Sequence, residues 1–242
     1  MLSARTTLGA ESAQLLAVVR DEANRFPRAR SGEVGIDEGW ALAREVSVAV
    51  ETDTGPDKRA IVAIVDVPSQ AYGRREELLG LHLACAAAVD AYATARLAGH
   101  PVIGLIVGQA FSGAFLAHGY QANRLLAFDD PGVVIHAMGK QAAARVTKRS
   151  VADLDDLATR VLPLAYDVRS FEQLGILQRL LRVGNADAPS DDDVADIRHV
   201  LETAIAEVRR GPRDLSERLT SSQARTKRAA TIQVREALAR QW

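Results

Sequence analysis

The segment Gly108-Gln-Ala-Phe-Ser-Gly113 holds the clearest candidate for chemistry in this chain of 242 residues. It joins an apolar run to an alanine-containing run, the pattern of a buried strand that leads directly into a helix. The first peptide N–H groups of a helix have no partner inside it, and small side chains leave them open to a carboxylate or a developing oxyanion. Ser112, Gly113 and Ala114 are therefore the candidate catalytic residues. The alternative is that these small residues only allow close packing of the helix on the sheet.

Other kinds of catalytic site find less support in the sequence. A serine-hydrolase elbow requires Gly-x-Ser-x-Gly, whereas Ser112 stands directly before Gly113. No two histidines lie three or four residues apart, and no thiol accompanies one, which disfavours a zinc site. Phosphate-loop and dinucleotide fingerprints are missing from the strand ends. We treat the equal spacing of 18 residues among four histidines as coincidence, because a proline and a strand interrupt the series: His82, His100, His118 and His136.

A strand, a turn and a helix are needed to position the candidate segment, and this unit occurs twice. The β-branched run at 60–67 predicts a strand that is buried on both faces. A turn at 68–73 follows, and the residues at 74–98 are apolar on nearly every side, which predicts a buried helix. The second unit has a strand at 102–107, a turn at 108–111 and a helix at 112–122.

The two strands begin at Ile61 and Val102, 41 residues apart. Further strands at 124–128 and 133–138 flank the turn Asp129-Asp-Pro-Gly132. This alternation predicts an α/β fold with parallel pairing, and such folds place their chemistry at the carboxyl ends of the strands. The candidate substrate-binding residues lie in or beside the turns at those ends: Tyr72, Gly73, Gly108, Gln109, His136 and Lys140.

Three of these candidates also have ordinary structural interpretations. His136 is equally well interpreted as a histidine that its neighbours satisfy, and Lys140 as a surface lysine at a helix start. The Gln109 side chain can hydrogen-bond a substrate or brace the turn that holds it. The sequence leaves both interpretations open for each residue.

Helices are predicted on both sides of this region. Apolar residues at three- or four-residue spacing over 36–50 mark a helix that Asp37 caps and Gly55-Pro56 ends. Two further helices begin at serine caps and make the C-terminal region helical: Ser150 precedes a helix at 154–162, and Ser190 precedes one that ends at Gly211-Pro212.

Composition limits the classes of partner. Lys plus Arg number 30 and Asp plus Glu 31, while aromatic residues are 5%, which argues against binding of nucleic acid or anionic membrane. No signal-type segment or apolar run of bilayer length occurs, so we expect a cytoplasmic protein. The charge is uneven, because nine basic residues oppose three acidic ones after position 208. We therefore divide the chain into a body at 1–211 and a basic helical or disordered tail at 212–242.

Three motifs in the body are long enough to be specific: Val65-Asp-Val-Pro-Ser-Gln-Ala-Tyr-Gly-Arg-Arg-Glu-Glu77, Gly108-Gln-Ala-Phe-Ser-Gly-Ala-Phe-Leu-Ala-His-Gly-Tyr-Gln-Ala-Asn-Arg124 and Asp129-Asp-Pro-Gly-Val-Val-Ile-His-Ala-Met-Gly-Lys140. They closely resemble the gamma subunits of biotin-independent malonate decarboxylase, and the similarity extends from about Arg25 to Leu181. The wider relatives are the carboxyltransferase subunits of acyl-CoA carboxylases. This resemblance implies a crotonase-like fold of repeated ββα units, which agrees with the 41-residue repeat.

The resemblance also implies that this chain is one half of an enzyme. In that family the gamma subunit pairs with a homologous beta subunit, and together they decarboxylate a malonyl thioester on an acyl carrier protein to acetyl thioester and CO2. An acyl carrier transferase subunit belongs to the same complex. The resemblance implies no cofactor in this chain, because a thiol arm of the phosphopantetheine type is carried by the acyl carrier protein.

Each of the two homologous halves of a carboxyltransferase supplies one oxyanion hole, and the half that Gly113-Ala114 resembles faces the biotin oxygen. Because the decarboxylase family uses no biotin, we expect these N–H groups to hold the malonyl carboxylate or the departing CO2. The partner subunit would then stabilise the enolate. Protonation of the enolate carbon needs water or a nearby acid, and the candidates are Tyr72, Tyr120, His118 and His136.

Two other functions stay open. One is a biotin-dependent carboxyltransferase subunit of the same fold, and the other is a scaffold that leaves all chemistry to the beta subunit. The basic tail has two interpretations as well. Arg225, Lys227 and Arg228 can dock an acidic carrier protein, or the tail is simply solvated.

Overall fold

A seven-stranded sheet runs through the centre of the computed structural model, which describes residues 1–242. The order across the sheet is β1-β2-β3-β4-β5-β7, and β6 pairs with the far end of β4. The first two strands form an antiparallel hairpin, and every other pair is parallel. The predicted α/β fold is confirmed. The strands β1 to β7 span Leu2–Leu8, Glu11–Ala17, Ala60–Val67, Val102–Phe111, Arg124–Phe128, Val134–His136 and Arg179–Leu181.

Helices cover the sheet and form the C-terminal region. Helix α1 (Ile36–Thr52) packs closely on helix α3 (Leu81–Ala98) where Gly39 meets Ala84, because a Cβ atom on Gly39 would lie 2.8 Å from the Ala84 carbonyl carbon. None of the helices combines the length and apolar character needed to cross a membrane. The helices α1 to α10 span Ile36–Thr52, Arg74–Leu78, Leu81–Ala98, Ser112–Ala117, Lys140–Thr147, Val151–Arg160, Val168–Gln173, Asp191–Arg210, Ser222–Lys227 and Ala229–Gln241.

The centre of the sheet is the pair β3 and β4. Ile61 and Val102, the predicted starts of the repeated unit, are direct Cα partners across this pair. Both are completely buried, as are most of their neighbours in the two strands. The β-branched run at 60–67 therefore has the burial on both faces that a central parallel strand requires.

Strand β4 is longer than predicted. The expected turn at 108–111 is wrong, because Gln109–Phe111 continue in the strand and pair with β6. The register between β3 and β4 shifts after Val65, so β4 bulges and changes its neighbour without ending. The following helix is shorter than predicted and ends at Ala117, since Gly119 takes a left-handed φ of 110°.

Two local predictions on the N-terminal side also differ from the structure, and one element there was not predicted. The predicted helix at 74–98 is two helices, because Gly80 adopts a φ of 90° between them. The helix predicted at 36–50 is confirmed, but Gly35 and not Asp37 occupies its N-cap, and the Asp37 carboxylate pairs with Arg25. The hairpin of β1 and β2 was not predicted, since β1 is mostly exposed and lacks an apolar pattern.

The helices predicted after Ser150 and Ser190 are confirmed. Each serine accepts the N–H of an aspartate three residues later, and each aspartate accepts the serine N–H in return, which forms a complete capping box. The second of these helices, α8, packs on the sheet through a buried stripe at its C-terminal half: Leu201, Ala204, Ile205 and Val208.

The segment 212–242 begins on the body of the protein. The Arg218 side chain is buried and donates to the carbonyl oxygens of Tyr120 at 2.6 Å and Ala122 at 2.7 Å. Burial lowers the pKa of Arg218 to about 10. In contrast, α10 buries none of its residues. The division of the chain at residue 211 stays a prediction, and the contacts anchor the first part of the segment that follows it.

His118 lies in the core between α3 and β3. The Tyr92 hydroxyl lies 3.0 Å from its Nδ1, and its Nε2 lies 2.9 Å from the Ile64 carbonyl oxygen. Because a carbonyl oxygen only accepts, Nε2 carries the proton and Nδ1 accepts from Tyr92. Burial lowers the pKa of His118 to about 4, so this histidine is neutral at pH 7.

We expect the free energy of unfolding to fall as the pH drops from about 6.5 to about 4. In this range His118 is protonated in the unfolded chain but stays neutral in the folded chain. Between about pH 7 and about pH 5 this contribution is about 2 kcal/mol. Urea unfolding at both pH values should show a flatter pH dependence in His118→Gln. The exposed His199→Gln serves as the control and should keep the original slope. Equal slopes in all three proteins would contradict the assignment.

Candidate active site

The far end of β4 carries Gly108 and Gln109, and Asp66 of β3 shapes it. The Asp66 carboxylate accepts the N–H of Gln109 at 2.8 Å. A side chain at position 108 would overlap this carboxylate, so glycine allows Asp66 to keep its bond to the Gln109 N–H. The Gln109 side chain itself is exposed. Gly108 thus leaves room for Asp66 at the bulge, and Gln109 contributes its backbone N–H to the bond with Asp66.

The turn from β4 into α4 is strained and tightly held. Ser112 adopts a φ of 57°, a left-handed conformation that is uncommon for a residue with a side chain. Its hydroxyl donates to the carbonyl oxygen of Ala137 at 2.8 Å. The N–H of Gly113 donates to Oε1 of Gln70 at 3.0 Å, and Ala114 is completely buried. The turns after β3, β4 and β6 therefore meet at residues 112–114.

Gln70 is the residue that sequence reasoning missed. It lies in the turn after β3, where Val34 and Gln70 form an isolated bridge and the N–H of Ala71 donates to the Val34 carbonyl oxygen at 2.8 Å. This bridge fixes the backbone from which the Gln70 amide reaches Gly113. The signal available in the sequence was its position inside the predicted turn 68–73, but only the register of β3 and β4 brings it to the N–H group.

His136 stands beside this turn, because it is the Cα partner of Phe111 in the β4–β6 pair. Its ring stacks on Tyr166 with centroids 3.9 Å apart and planes 10° apart. Its Nδ1 lies 3.1 Å from the Met138 carbonyl oxygen. Burial lowers the pKa of His136, and the Met138 carbonyl opposes this effect only in part, so the ring is neutral at pH 7.

Lys140 lies next to this group but is paired. Its Nζ is 2.5 Å from Oδ1 of Asp155 and 5.3 Å from the centre of the Tyr166 ring. Both charged side chains are partly exposed, so the ion pair contributes little to stability. A substrate carboxylate would have to share this ammonium group with Asp155.

Tyr72 and Gly73 follow Gln70 along the chain. The Tyr72 ring is half exposed and lies under the guanidinium of Arg28, at 4.2 Å from the ring centre. Gly73 is the N-cap of α2, where a side chain would overlap the carboxylate of Glu76. These contacts place both residues at the edge of the 68–73 turn.

Two of the candidate proton donors lie away from the turn. The expectation for His118 is wrong, because both of its ring nitrogens bond to protein groups inside the core. The Tyr120 ring packs between Phe115 at 5.3 Å and the Arg218 guanidinium at 4.8 Å.

Ser112 donates its hydroxyl hydrogen to a carbonyl, which is not the contact that activates a nucleophile.

The sheet and its helices have the crotonase-like fold. The fold recurs in transcarboxylase 12S, with a TM-score of 0.65 at 19% sequence identity over 87% of this chain and 37% of that one. The model of one family, malonate decarboxylase gamma subunit, matches residues 29–242. The chain belongs to the malonate decarboxylase gamma-subunit family.

Individual relatives agree with this family. A chain of a Pseudomonas malonate decarboxylase hetero-tetramer in complex with coenzyme A is 56% identical, with a TM-score of 0.94 over 99% of this chain and 90% of that one. The Pseudomonas MdcD–MdcE hetero-dimer gives 54% identity and a TM-score of 0.90, over 99% and 89% of the two chains. The malonyl-S-ACP:biotin-protein carboxyltransferase MADD of Malonomonas rubra is 35% identical over 189 residues, which are 76% of this chain and 61% of that protein. The chain thus spans about three fifths of that relative.

We expect Gly108→Ala to destabilise the protein by about 2 kcal/mol, because the added methyl group displaces Asp66 and breaks its bond to the Gln109 N–H. The double variant Gly108→Ala with Asp66→Ala lacks the overlapping carboxylate and should recover part of the lost stability. Gly139→Ala is the matched control, since its Cβ atom meets nothing within 4 Å. Urea denaturation measures all four proteins. Equal stability of Gly108→Ala and Gly139→Ala would contradict this role of Gly108.

Proposed function

We propose that this chain is the gamma half of a malonyl-thioester decarboxylase that converts a malonyl thioester to an acetyl thioester and CO2. The observation that carries the proposal is the Gly113 N–H, which donates to the amide oxygen of Gln70 at 3.0 Å. An anionic oxygen is a stronger acceptor than a neutral amide oxygen, so a substrate carboxylate can take its place. Family membership supports malonyl chemistry at this turn.

The task of such an enzyme is to stabilise negative charge. Loss of CO2 from a malonyl thioester leaves an enolate, and fixed hydrogen-bond donors lower the energy of the charge that develops. We propose that the N–H groups of Gly113 and Ala114 hold the malonyl carboxylate until CO2 departs, while a homologous beta subunit stabilises the enolate oxygen. The strained Ser112 backbone serves to present these N–H groups.

The remaining candidate residues surround this group in the proposal. Gly108 and Gln109 shape the bulge beside the turn, and Tyr72 and Gly73 extend the edge that begins at Gln70. Ser112, His136 and Lys140 line the same turn in this proposal, on the side where the substrate would bind.

We propose that the functional form is a heteromer in the cytoplasm. The Pseudomonas MdcD–MdcE hetero-dimer supports pairing with a beta subunit. The Malonomonas relative is a malonyl-S-ACP:biotin-protein carboxyltransferase, which supports a malonyl group carried on an acyl carrier protein, and thus on a phosphopantetheine-type thiol arm. An acyl carrier transferase subunit would load that arm. Exposed basic residues at the end of α9 offer a docking surface for an acidic carrier protein: Arg225 and Lys227, with the half-buried Arg228 beside them.

A second function follows from the same relative, whose carboxyl acceptor is a biotin protein. A biotin-dependent carboxyltransferase transfers the carboxyl group, whereas a decarboxylase releases it as CO2. We expect the complex of this chain with its beta subunit to release CO2 from malonyl thioester with no biotin protein present. Release that depends on an added biotin protein would favour the carboxyltransferase. Equal release by the beta subunit alone would reduce this chain to a scaffold.

We expect Gly113→Val to lower kcat/KM by about 100-fold or more, because a branched side chain beside Gln70 covers the N–H group. Ser112→Ala and Ser112→Gly should each stay within about fivefold of the original activity, since both remove the hydroxyl bond to Ala137 and glycine also adopts the left-handed backbone without strain. The reconstituted two-subunit assay measures all three variants, and size-exclusion chromatography confirms their assembly. An inactive but assembled Ser112→Gly would favour side-chain nucleophilic chemistry instead.

A further inference from the structure

His136 faces two hydrogen-bond partners with one nitrogen. Its Nδ1 lies 3.1 Å from the carbonyl oxygen of Met138 and 3.3 Å from the N–H of the same residue. The first contact requires a proton on Nδ1, and the second requires a lone pair there. The Nε2 atom makes no hydrogen bond within the chain. The main chain alone therefore accommodates either neutral tautomer of His136, and a further contact is needed to favour one of them.

Tyr166 makes the contact that favours one tautomer of His136. Its hydroxyl donates to the same Met138 carbonyl oxygen at 2.7 Å, a shorter contact than the one from Nδ1. Burial, with a smaller contribution from Asp155, raises the pKa of Tyr166, so its hydroxyl stays protonated and keeps donating. The Tyr166 hydroxyl takes the shorter contact to this oxygen, and a second donor to an oxygen that already accepts one bond gains less. This favours the tautomer in which Nδ1 accepts the Met138 N–H and Nε2 carries the ring proton.

We propose that Tyr166 is a positioning residue that holds His136 in the Nε2–H tautomer, and that this neutral N–H joins the Gly113 N–H in binding an anionic substrate oxygen. The inference rests on the proposed function for the identity of that oxygen. His136 is the strand partner of Phe111, and the next residue of each strand, Ala137 and Ser112, are joined by a hydrogen bond of 2.8 Å. His136 therefore lies at the same strand end as the 112–114 turn, and the proposal assigns its Nε2–H to the same substrate oxygen.

A neutral imidazole suits this task. It donates a hydrogen bond without exchanging a proton with the carboxylate or the enolate, so it stabilises the charge and stays in place when CO2 departs. The stacked Tyr166 ring and the edge contact of Phe111, at 6.1 Å between the Phe111 and Tyr166 centroids, fix the plane of the imidazole. The Tyr166 hydroxyl therefore sets the tautomer, while the aromatic contacts set the orientation.

The chain contains two internal standards for the two tautomers. His118 is fixed as Nε2–H, because that nitrogen donates to the Ile64 carbonyl oxygen at 2.9 Å. His100 is fixed as Nδ1–H, because its Nδ1 lies 3.0 Å from the Arg59 carbonyl oxygen. Both are buried in the folded chain and lie outside the candidate site.

Nitrogen NMR of the full chain with labelled histidine, alone and with its beta subunit, measures the tautomer directly. We expect the ring nitrogens of His136 to show the pattern of His118, and in Tyr166→Phe to shift toward the pattern of His100. The signals of His118 and His100 should not move. Tyr166→Phe keeps the aromatic ring and removes only the hydroxyl, so the fold is preserved. A His136 that matches His100 before mutation, or that does not respond to Tyr166→Phe, would overturn the proposal.

Activity of the two-subunit complex gives a second measurement. We expect Tyr166→Phe to lower kcat/KM by about tenfold, less than the loss of a whole donor, because part of the population keeps the Nε2 proton. His136→Gln places an amide N–H near the Nε2 position and should retain more activity than His136→Asn. Equal loss in the two His136 variants would overturn the role of Nε2–H. An inactive unmodified complex would contradict the proposed function, whereas the NMR pattern decides the tautomer independently of that outcome.

Discussion

The end of strand β4 imposes the constraint on which the rest of the site depends. Ser112 has to adopt a φ of 57°, which costs roughly 1–3 kcal/mol for a residue with a side chain. Two hydrogen bonds hold the turn. The Ser112 hydroxyl donates to the Ala137 carbonyl oxygen, and the Gly113 N–H donates to the Gln70 amide oxygen. These groups follow three different strands, so the turn forms only when β3, β4 and β6 are in place. The position of the Gly113 N–H is therefore a property of the fold.

The chemistry that we propose for this turn is the stabilisation of negative charge by uncharged donors. The Gly113 N–H carries no titratable proton, and burial keeps His136 neutral. Lys140, the nearby cation, is paired with Asp155. In the proposed function, a malonyl carboxylate meets the fixed Gly113 N–H and the neutral His136 ring, and it meets Lys140 only as a cation already paired with Asp155. This arrangement suits a reaction in which a carboxylate is held and then lost as neutral CO2, with the enolate left to the partner subunit.

Sequence reasoning succeeded where one local pattern is sufficient. The β-branched runs identified β3 and the start of β4, and the small residues at 112–114 marked the turn between strand and helix. It failed where distant residues decide the outcome. Gln70 reaches Gly113 only through the shifted register of β3 and β4, and Tyr166 stacks on a histidine 30 residues earlier in the chain. The β4 strand continued past Gly108 because Asp66 supports its bulge, a contact with no local signature.

The most direct test of this mechanism is a crystal structure of the chain with its beta subunit and a malonyl-amide analogue that keeps its carboxylate. We expect a carboxylate oxygen within about 3 Å of the Gly113 nitrogen, in the place that Oε1 of Gln70 now occupies. The Gln70 side chain should be turned away, with the left-handed backbone of Ser112 unchanged. An analogue bound elsewhere, with Gln70 still bonded to Gly113, would contradict the proposal that this turn binds the substrate.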